Sequence, residues 1–121
     1  MMKVLVVGIN PQYPQYRYKK GCTRYRFYKW LDFLGLRYVG FTNCIPTPGI
    51  YKKHMIDFDR LKKSTEGHQK IIALGNFTSE ALSKINREHF VLPHPSPLNR
   101  LLNDKRYEKS ILKKCKRWLI K

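Results

Sequence analysis

Val4-Leu5-Val6-Val7-Gly8-Ile9-Asn10-Pro11 is a continuous apolar run closed by a glycine and an Asn-Pro pair. With no polar residue alternating through it, such a run reads as a strand buried on both faces that enters a tight loop. Lys3 to Val7 is the strand in this reading. A second stretch near the other end of the chain answers to it: Phe90-Val91-Leu92-Pro93-His94-Pro95-Ser96-Pro97-Leu98-Asn99-Arg100. Here a short apolar run ends in three prolines spaced by two. Each proline fixes its own φ and pushes the residue before it into extended geometry, so His94 and Ser96 are stiffened from both sides. A proline-rich turn can simply end a strand, and Asn-Pro is an ordinary turn signal. It is the pair of stretches, each after a strand, that asks for more.

Between them the hydrophobic period changes repeatedly. Gln12 to Gly21 is a polar, tyrosine-rich loop. Thr23 can cap a helix that places Phe27, Trp30, Leu31 and Leu34 on one stripe and stops at Gly35. Arg24, Arg26 and Lys29 fall off that stripe, where they are solvated or face phosphate. Tyr38 to Thr42 reads as a second strand, residues 57–66 as a short polar helix, and Lys70 to Leu74 as a third strand. Gly75 then turns the chain and Asn76 is placed to cap a helix carrying Phe77, Ala81, Leu82 and Ile85 on one face. His89 to Leu92 is a fourth strand. A last helix over residues 104–120 spaces Tyr107, Ile111, Cys115 and Leu119 four apart. Strands alternating with helices predict a single α/β domain over residues 1–121, a three-layer α/β/α fold around a four-stranded parallel sheet. Ligands in such sheets bind beyond the carboxyl ends of the strands. Asn10, Asn43, the 75–76 turn and His94 all follow strand ends, so they are expected at one edge.

Charge narrows the partner. The 121 residues carry 25 Lys and Arg against 8 Asp and Glu, a formal net charge of +17. The cations are spread along the whole chain, which points to a polyanion, since neutralising phosphates releases counterions. No apolar run approaches the roughly 20 residues of a membrane span, and no signal-peptide pattern opens the sequence; a cytoplasmic protein and a monomer are expected. Nucleoid association or a phage origin is compatible with that expectation. Cys22, Cys44 and Cys115 are odd in number and lack CxxC spacing, which reads as reduced thiols. His54, His68 and His89 do not pair with Cys or carboxylates at zinc-ligand spacing. No metal and no cofactor is expected.

Gly8-Ile9-Asn10-Pro11 resembles the first motif of the uracil-DNA glycosylase superfamily, in the GxNP form of its mismatch-specific and single-strand-selective branches. His94-Pro95-Ser96-Pro97-Leu98 resembles the second motif, in the HPSPL form of the widespread uracil-DNA glycosylases. Three further segments are similar: Arg26-Phe27-Tyr28-Lys29 through Gly35-Leu36 to a helix of the mismatch-specific branch, Phe41-Thr42-Asn43-Cys44-Ile45-Pro46 to the segment with the base-recognising Asn, and Ile71-Ile72-Ala73-Leu74-Gly75 with Ala81-Leu82 to a pattern before the second motif. The likeness thus spans most of a chain that is short for the family.

The resemblance implies hydrolysis of an N-glycosidic bond of uracil, or a related modified pyrimidine, in single- or double-stranded DNA. Asn10 would hold the attacking water and His94 would donate to the leaving base. Asn10 stands where the widespread branch has Asp, and an amide cannot take a proton, which predicts slower turnover. Gly8, Ile9, Pro11, Gln12, Tyr13 and Asn43 would line the base pocket, with Asn43 reading the O4 and N3 edge or merely forming a turn. Gln12 matches neither the Tyr nor the Gly found there in the family, and a stacking aromatic could come from Tyr13, Tyr16 or Tyr18. Ser96, Leu98, Asn99 and Arg100 would contact DNA. Leu98 is either a wedge into the base stack or a core residue at a helix start. Two rivals are a DNA-binding protein that keeps the fold but has lost efficient catalysis, and a generic basic RNA-binding protein. All of these readings require phosphate contacts. Affinity for DNA, measured by titration at rising ionic strength, should fall steeply with a slope set by several phosphates; a flat response would remove the nucleic-acid premise.

Overall fold

The structure, a computed structural model, describes residues 2–11, 22–96 and 98–121. Four strands, β1 (Val4–Gly8), β2 (Gly40–Asn43), β3 (Lys70–Leu74) and β4 (Phe90–Leu92), form one sheet in the order β2-β1-β3-β4. Every pairing is parallel, with Leu5 opposite Gly40 and Ile71, and Ile72 opposite Phe90. Among the described residues four α-helices, α1 (Thr23–Leu34), α2 (Phe58–Thr65), α3 (Asn76–Lys84) and α4 (Lys105–Leu119), cover it, and short 3-10 turns occupy Lys53–Met55 and Arg100–Asn103.

The unbroken apolar run of β1 is explained by its place. It is central, and its side chains alternate between two separate cores. Val4 and Val6 join Ile72, Leu74 and Leu92 beneath Trp30 and Leu34 of α1 and Leu112, Cys115 and Leu119 of α4. Leu5 and Val7 join Ile71 and Ala73 beneath Leu61 of α2 and Ala81 and Leu82 of α3. The three-layer α/β/α expectation therefore holds. From β1 the chain moves to one side of the sheet through α1, and from β3 to the other side through α3. Crossovers of one hand then set those two helices on opposite faces. Strand order reverses between β1 and β3, so the crevice beyond their carboxyl ends is the topological switch point.

Several boundaries differ from the sequence reading, each for a local reason. Helix α1 is capped by Cys22, whose Sγ accepts from the Tyr25 N–H at 3.4 Å, and Thr23 is already helical. Its end at Gly35 is closed by Leu36 N–H to Leu31 C=O. β2 starts two residues late, at Gly40, because its register is set by β1, and it runs on to Asn43. Asn76 is the first helical residue of α3 and makes no cap. The N-cap is Gly75, at φ 91, a conformation that any side chain would strain. β4 begins at Phe90, one residue later than read. On α4 the buried stripe also takes Leu112, which spacing by fours alone omits.

Leu98 is 88 % exposed, which settles its place outside the core, whereas Leu82 is fully buried. Leu82→Ala should therefore cost about 2–5 kcal/mol of unfolding free energy. Leu98→Ala should change it by less than about 0.5 kcal/mol. Urea titrations of the two variants check both values.

Candidate functional site

Each strand of the sheet hands one residue of interest to the carboxyl edge. After β1, the backbone pairing continues past the strands: Cys44 N–H bonds Gly8 C=O at 3.0 Å and Ile45 N–H bonds Ile9 C=O at 2.9 Å. The loops after β1 and β2 are thereby zipped together. Asn10 completes the join. Its Nδ2 donates to Gly49 C=O at 2.9 Å and to Thr47 C=O at 3.3 Å. Both partners are acceptors, which fixes the orientation of the amide. Its Oδ1 takes no part in these bonds and is left as the acceptor.

Asn43 closes β2 on the same face as Gly8, its partner in register. A Cβ on Gly8 would stand 2.8 Å from Asn43 Oδ1 and 3.3 Å from the Phe41 ring. Gly8 is thus needed for close approach, since the Asn43 amide lies over its bare backbone. From beneath, Arg60 of α2 anchors the strand end, with Nη2 2.6 Å from Asn43 C=O and Nη1 3.4 Å from Thr42 Oγ1.

His94 arrives from β4. Gly75, at the end of β3, donates its N–H to Leu92 C=O at 2.7 Å, and its Cα faces the His94 side chain. Pro95 is fully buried. Ser96 N–H donates to His94 Nδ1 at 3.2 Å. That bond makes Nδ1 an acceptor, so a neutral ring carries its proton on Nε2. Burial pushes the His94 pKa below the ordinary histidine value. The neutral ring is favoured, in one tautomer, with its proton on Nε2.

The loop after His94 is braced from within. Asn99 Nδ2 donates to His94 C=O at 2.9 Å and its Oδ1 accepts from Leu101 N–H, so both ends of this amide are occupied inside the chain. Ser96 Oγ accepts from Leu98 N–H at 3.1 Å, leaving its hydroxyl proton to donate elsewhere. Arg26, expected to be solvated or on phosphate, is instead half-buried. Its Nη1 reaches Ser96 C=O at 3.4 Å and its Nε lies 3.8 Å from Glu108 Oε2 of α4. Leu98 and Arg100 are exposed.

Gly8, Ile9, Asn10, Pro11, Asn43 and His94 line one end of a cavity of about 1300 Å³, which continues past Phe27, Tyr28 and Phe41 to Lys3, Arg37 and His68 at the amino ends of the strands. Gln12, Tyr13, Tyr16 and Tyr18 lie outside the described residues. Sequence reading missed Phe41. Its ring is half-exposed and 5.7 Å from Phe27, on the same sheet face as Asn43. The available signal was alternation: two residues before Asn43, an aromatic on a strand shares its face. Among the described residues no group of three or more His, Cys, Asp or Glu could hold a metal ion. Burial raises the Cys44 thiol and pushes Cys115 up to about 12, so neither offers a thiolate. No described helix is long and apolar enough to cross a membrane. Compared with protein-family models, with curated proteins and with solved structures, the chain matches none of them.

The His94 geometry has a pH signature. Because the folded pKa lies below the unfolded one, the unfolded chain binds the proton more readily. The stability contributed by the neutral ring is complete above the ordinary value, about 6.5, and is lost as pH falls below it toward the folded pKa. The difference in unfolding free energy between wild type and His94→Gln should be flat above about pH 7 and shift against wild type under acid. An NMR midpoint for His94 at or above 6.5 would contradict this.

Proposed function

We propose that the protein is a DNA glycosylase that hydrolyses the N-glycosidic bond of uracil, or a related modified pyrimidine, flipped out of DNA. One observation carries the reading. An amide whose NH2 is committed to two backbone carbonyls, a second amide on a strand end and a neutral imidazole line one cavity that reaches the carboxyl edge of a parallel sheet.

Base excision needs a water held at C1′ and a donor for the charge that grows on the departing base. Asn10 has its NH2 committed to Gly49 and Thr47, so Oδ1 accepts a hydrogen bond from the water and aims it. As the C1′–N1 bond breaks, electron density moves onto the ring, and His94 Nε2–H donates to the pyrimidine O2. A donor preorganised for developing charge is worth about 3–4 kcal/mol. The stiff Pro-His-Pro backbone keeps it from relaxing. The water oxygen bonds to C1′ and its proton passes to solvent, since no carboxylate stands at position 10. The Asn43 amide offers both a donor and an acceptor, which suits the O4 and N3 edge of uracil and mismatches cytosine. Phe41, open on the same face, is available to stack on the base. Leu98, exposed on a loop braced by Asn99, Ser96 and Arg26, suits a wedge that fills the vacated stack.

His94→Ala and Asn10→Ala should each cut excision by about a hundredfold or more with DNA binding nearly unchanged, and Asn10→Ala should also lose some stability with its bonds to Thr47 and Gly49. The assay is incubation with single- and double-stranded oligonucleotides bearing uracil, followed by cleavage at abasic sites. Leu98→Ala should lose more activity on a paired uracil than on a single strand, because only the paired base must be prised from the stack. Wild-type protein that binds these DNAs but releases no base would favour a DNA-binding protein on a glycosylase-like scaffold.

A further inference from the structure

Helix α4 carries a charge distribution that the site does not use. Its inner side is spent on the core through Leu112, Cys115 and Leu119. Of the nine exposed positions from 105 to 120, seven are Lys or Arg, and the others are Ser110 and Ile120. Successive members Lys105, Lys109, Lys113 and Arg117 stand four apart, the spacing at which like charges meet on a helix and destabilise it. Glu108 is the one acid in the helix, and it faces Lys105 at 4.0 Å and Arg26 at 3.8 Å. No carboxylate among the described residues lies within ion-pair distance of Arg106, Lys109, Lys113 or Arg117. The helix thus holds an uncompensated repulsion that a polyanion would relieve.

Placement separates this surface from the excision site. α4 begins beside the His94 loop and runs to the opposite edge of the sheet. There Trp118 C=O accepts from Lys70 Nζ at 3.2 Å, and the Trp118 ring packs 5.5 Å from Phe90. Fifteen helical residues span about 22 Å, a length that faces about six phosphates of one strand. A basic amphipathic helix can also lie on a membrane, but that mode inserts the apolar face, and here the apolar face is buried against the sheet. We infer that the outer face of α4 is a second, sequence-independent binding surface for the phosphate backbone of duplex DNA, engaging a segment other than the one at the His94 cavity.

The test compares two fourfold variants of equal charge. One replaces Arg106, Lys109, Lys113 and Arg117 with Gln. The other replaces Lys52, Lys62, Lys63 and Lys84, exposed cations on the opposite layer. Binding of undamaged duplex is followed by fluorescence anisotropy across a salt series. The α4 variant should lose about tenfold or more in affinity, with a salt slope lower by about 3, while the control loses much less. Its melting temperature should hold or rise, because repulsion is relieved. A companion variant with Lys109→Arg and Lys113→Arg should bind like wild type. Protein bound to an immobilised duplex should recruit a second, labelled duplex, and the α4 variant should not. Equal losses in both fourfold variants, no recruitment by wild type, or an α4 variant that loses binding only to phosphatidylserine vesicles would each overturn the inference.

Discussion

A parallel sheet has to hide both of its faces, and nearly everything else in this molecule follows from that constraint. Parallel strands cannot be joined by hairpins, so each connection crosses back over the sheet and brings a helix with it. The amino ends of the helices and the loops before them then collect at the carboxyl edge. With β1 central and the order reversing beside it, the loops after β1 and β3 diverge to opposite faces and leave a crevice. Asn10, Asn43 and His94 are distant in sequence, yet each is one or two residues from the end of a strand, or at it, and so each reaches the same opening.

What distinguishes the opening is rigidity obtained through hydrogen bonds and close backbone approach. The Asn10 amide is oriented by two carbonyls, Asn43 by an arginine on its own carbonyl and by the absence of a Cβ on Gly8, and His94 by a backbone N–H on Nδ1. Asn10, Asn43 and His94 themselves bring no fixed charge, although Lys3, Arg24 and Arg37 line the same cavity. Burial works the same way on His94, favouring the neutral ring.

The surface follows the opposite rule. A chain with 25 cations and 8 anions repels itself, and on α4 the repulsion is concentrated at helical spacing. Each like-charge pair costs a few tenths of a kcal/mol, small beside the burial of Leu112, Cys115 and Leu119, which holds the helix in place regardless. The core can therefore carry a strongly cationic surface that adds nothing to stability. Arg26 shows the two regimes meeting: a residue of the basic surface is drawn inward by Ser96 C=O and Glu108 and becomes a brace of the His94 loop.

The sequence by itself determined the class of fold, because periodicity records burial. The run Val4–Val7 had to lie between two layers, the stripes on α1, α3 and α4 had to face a core, and the charge was legible as a simple count. It also marked Asn10, His94 and Leu98, since proline and glycine announce loops that have been stiffened. Only the tertiary structure decided what those residues could do. Which way the Asn10 amide turns depends on Thr47 and Gly49, nearly forty positions away. The tautomer of His94 depends on a turn that returns Ser96 N–H to the ring. That Leu98 stands in solvent, that Phe41 opens onto the cavity and that Arg26 turns inward rest on where α1 and α4 come to lie across the sheet. Local sequence fixes which face of an element is apolar, but hydrogen-bond partners and exposure are set by neighbours distant along the chain, and no periodicity encodes them.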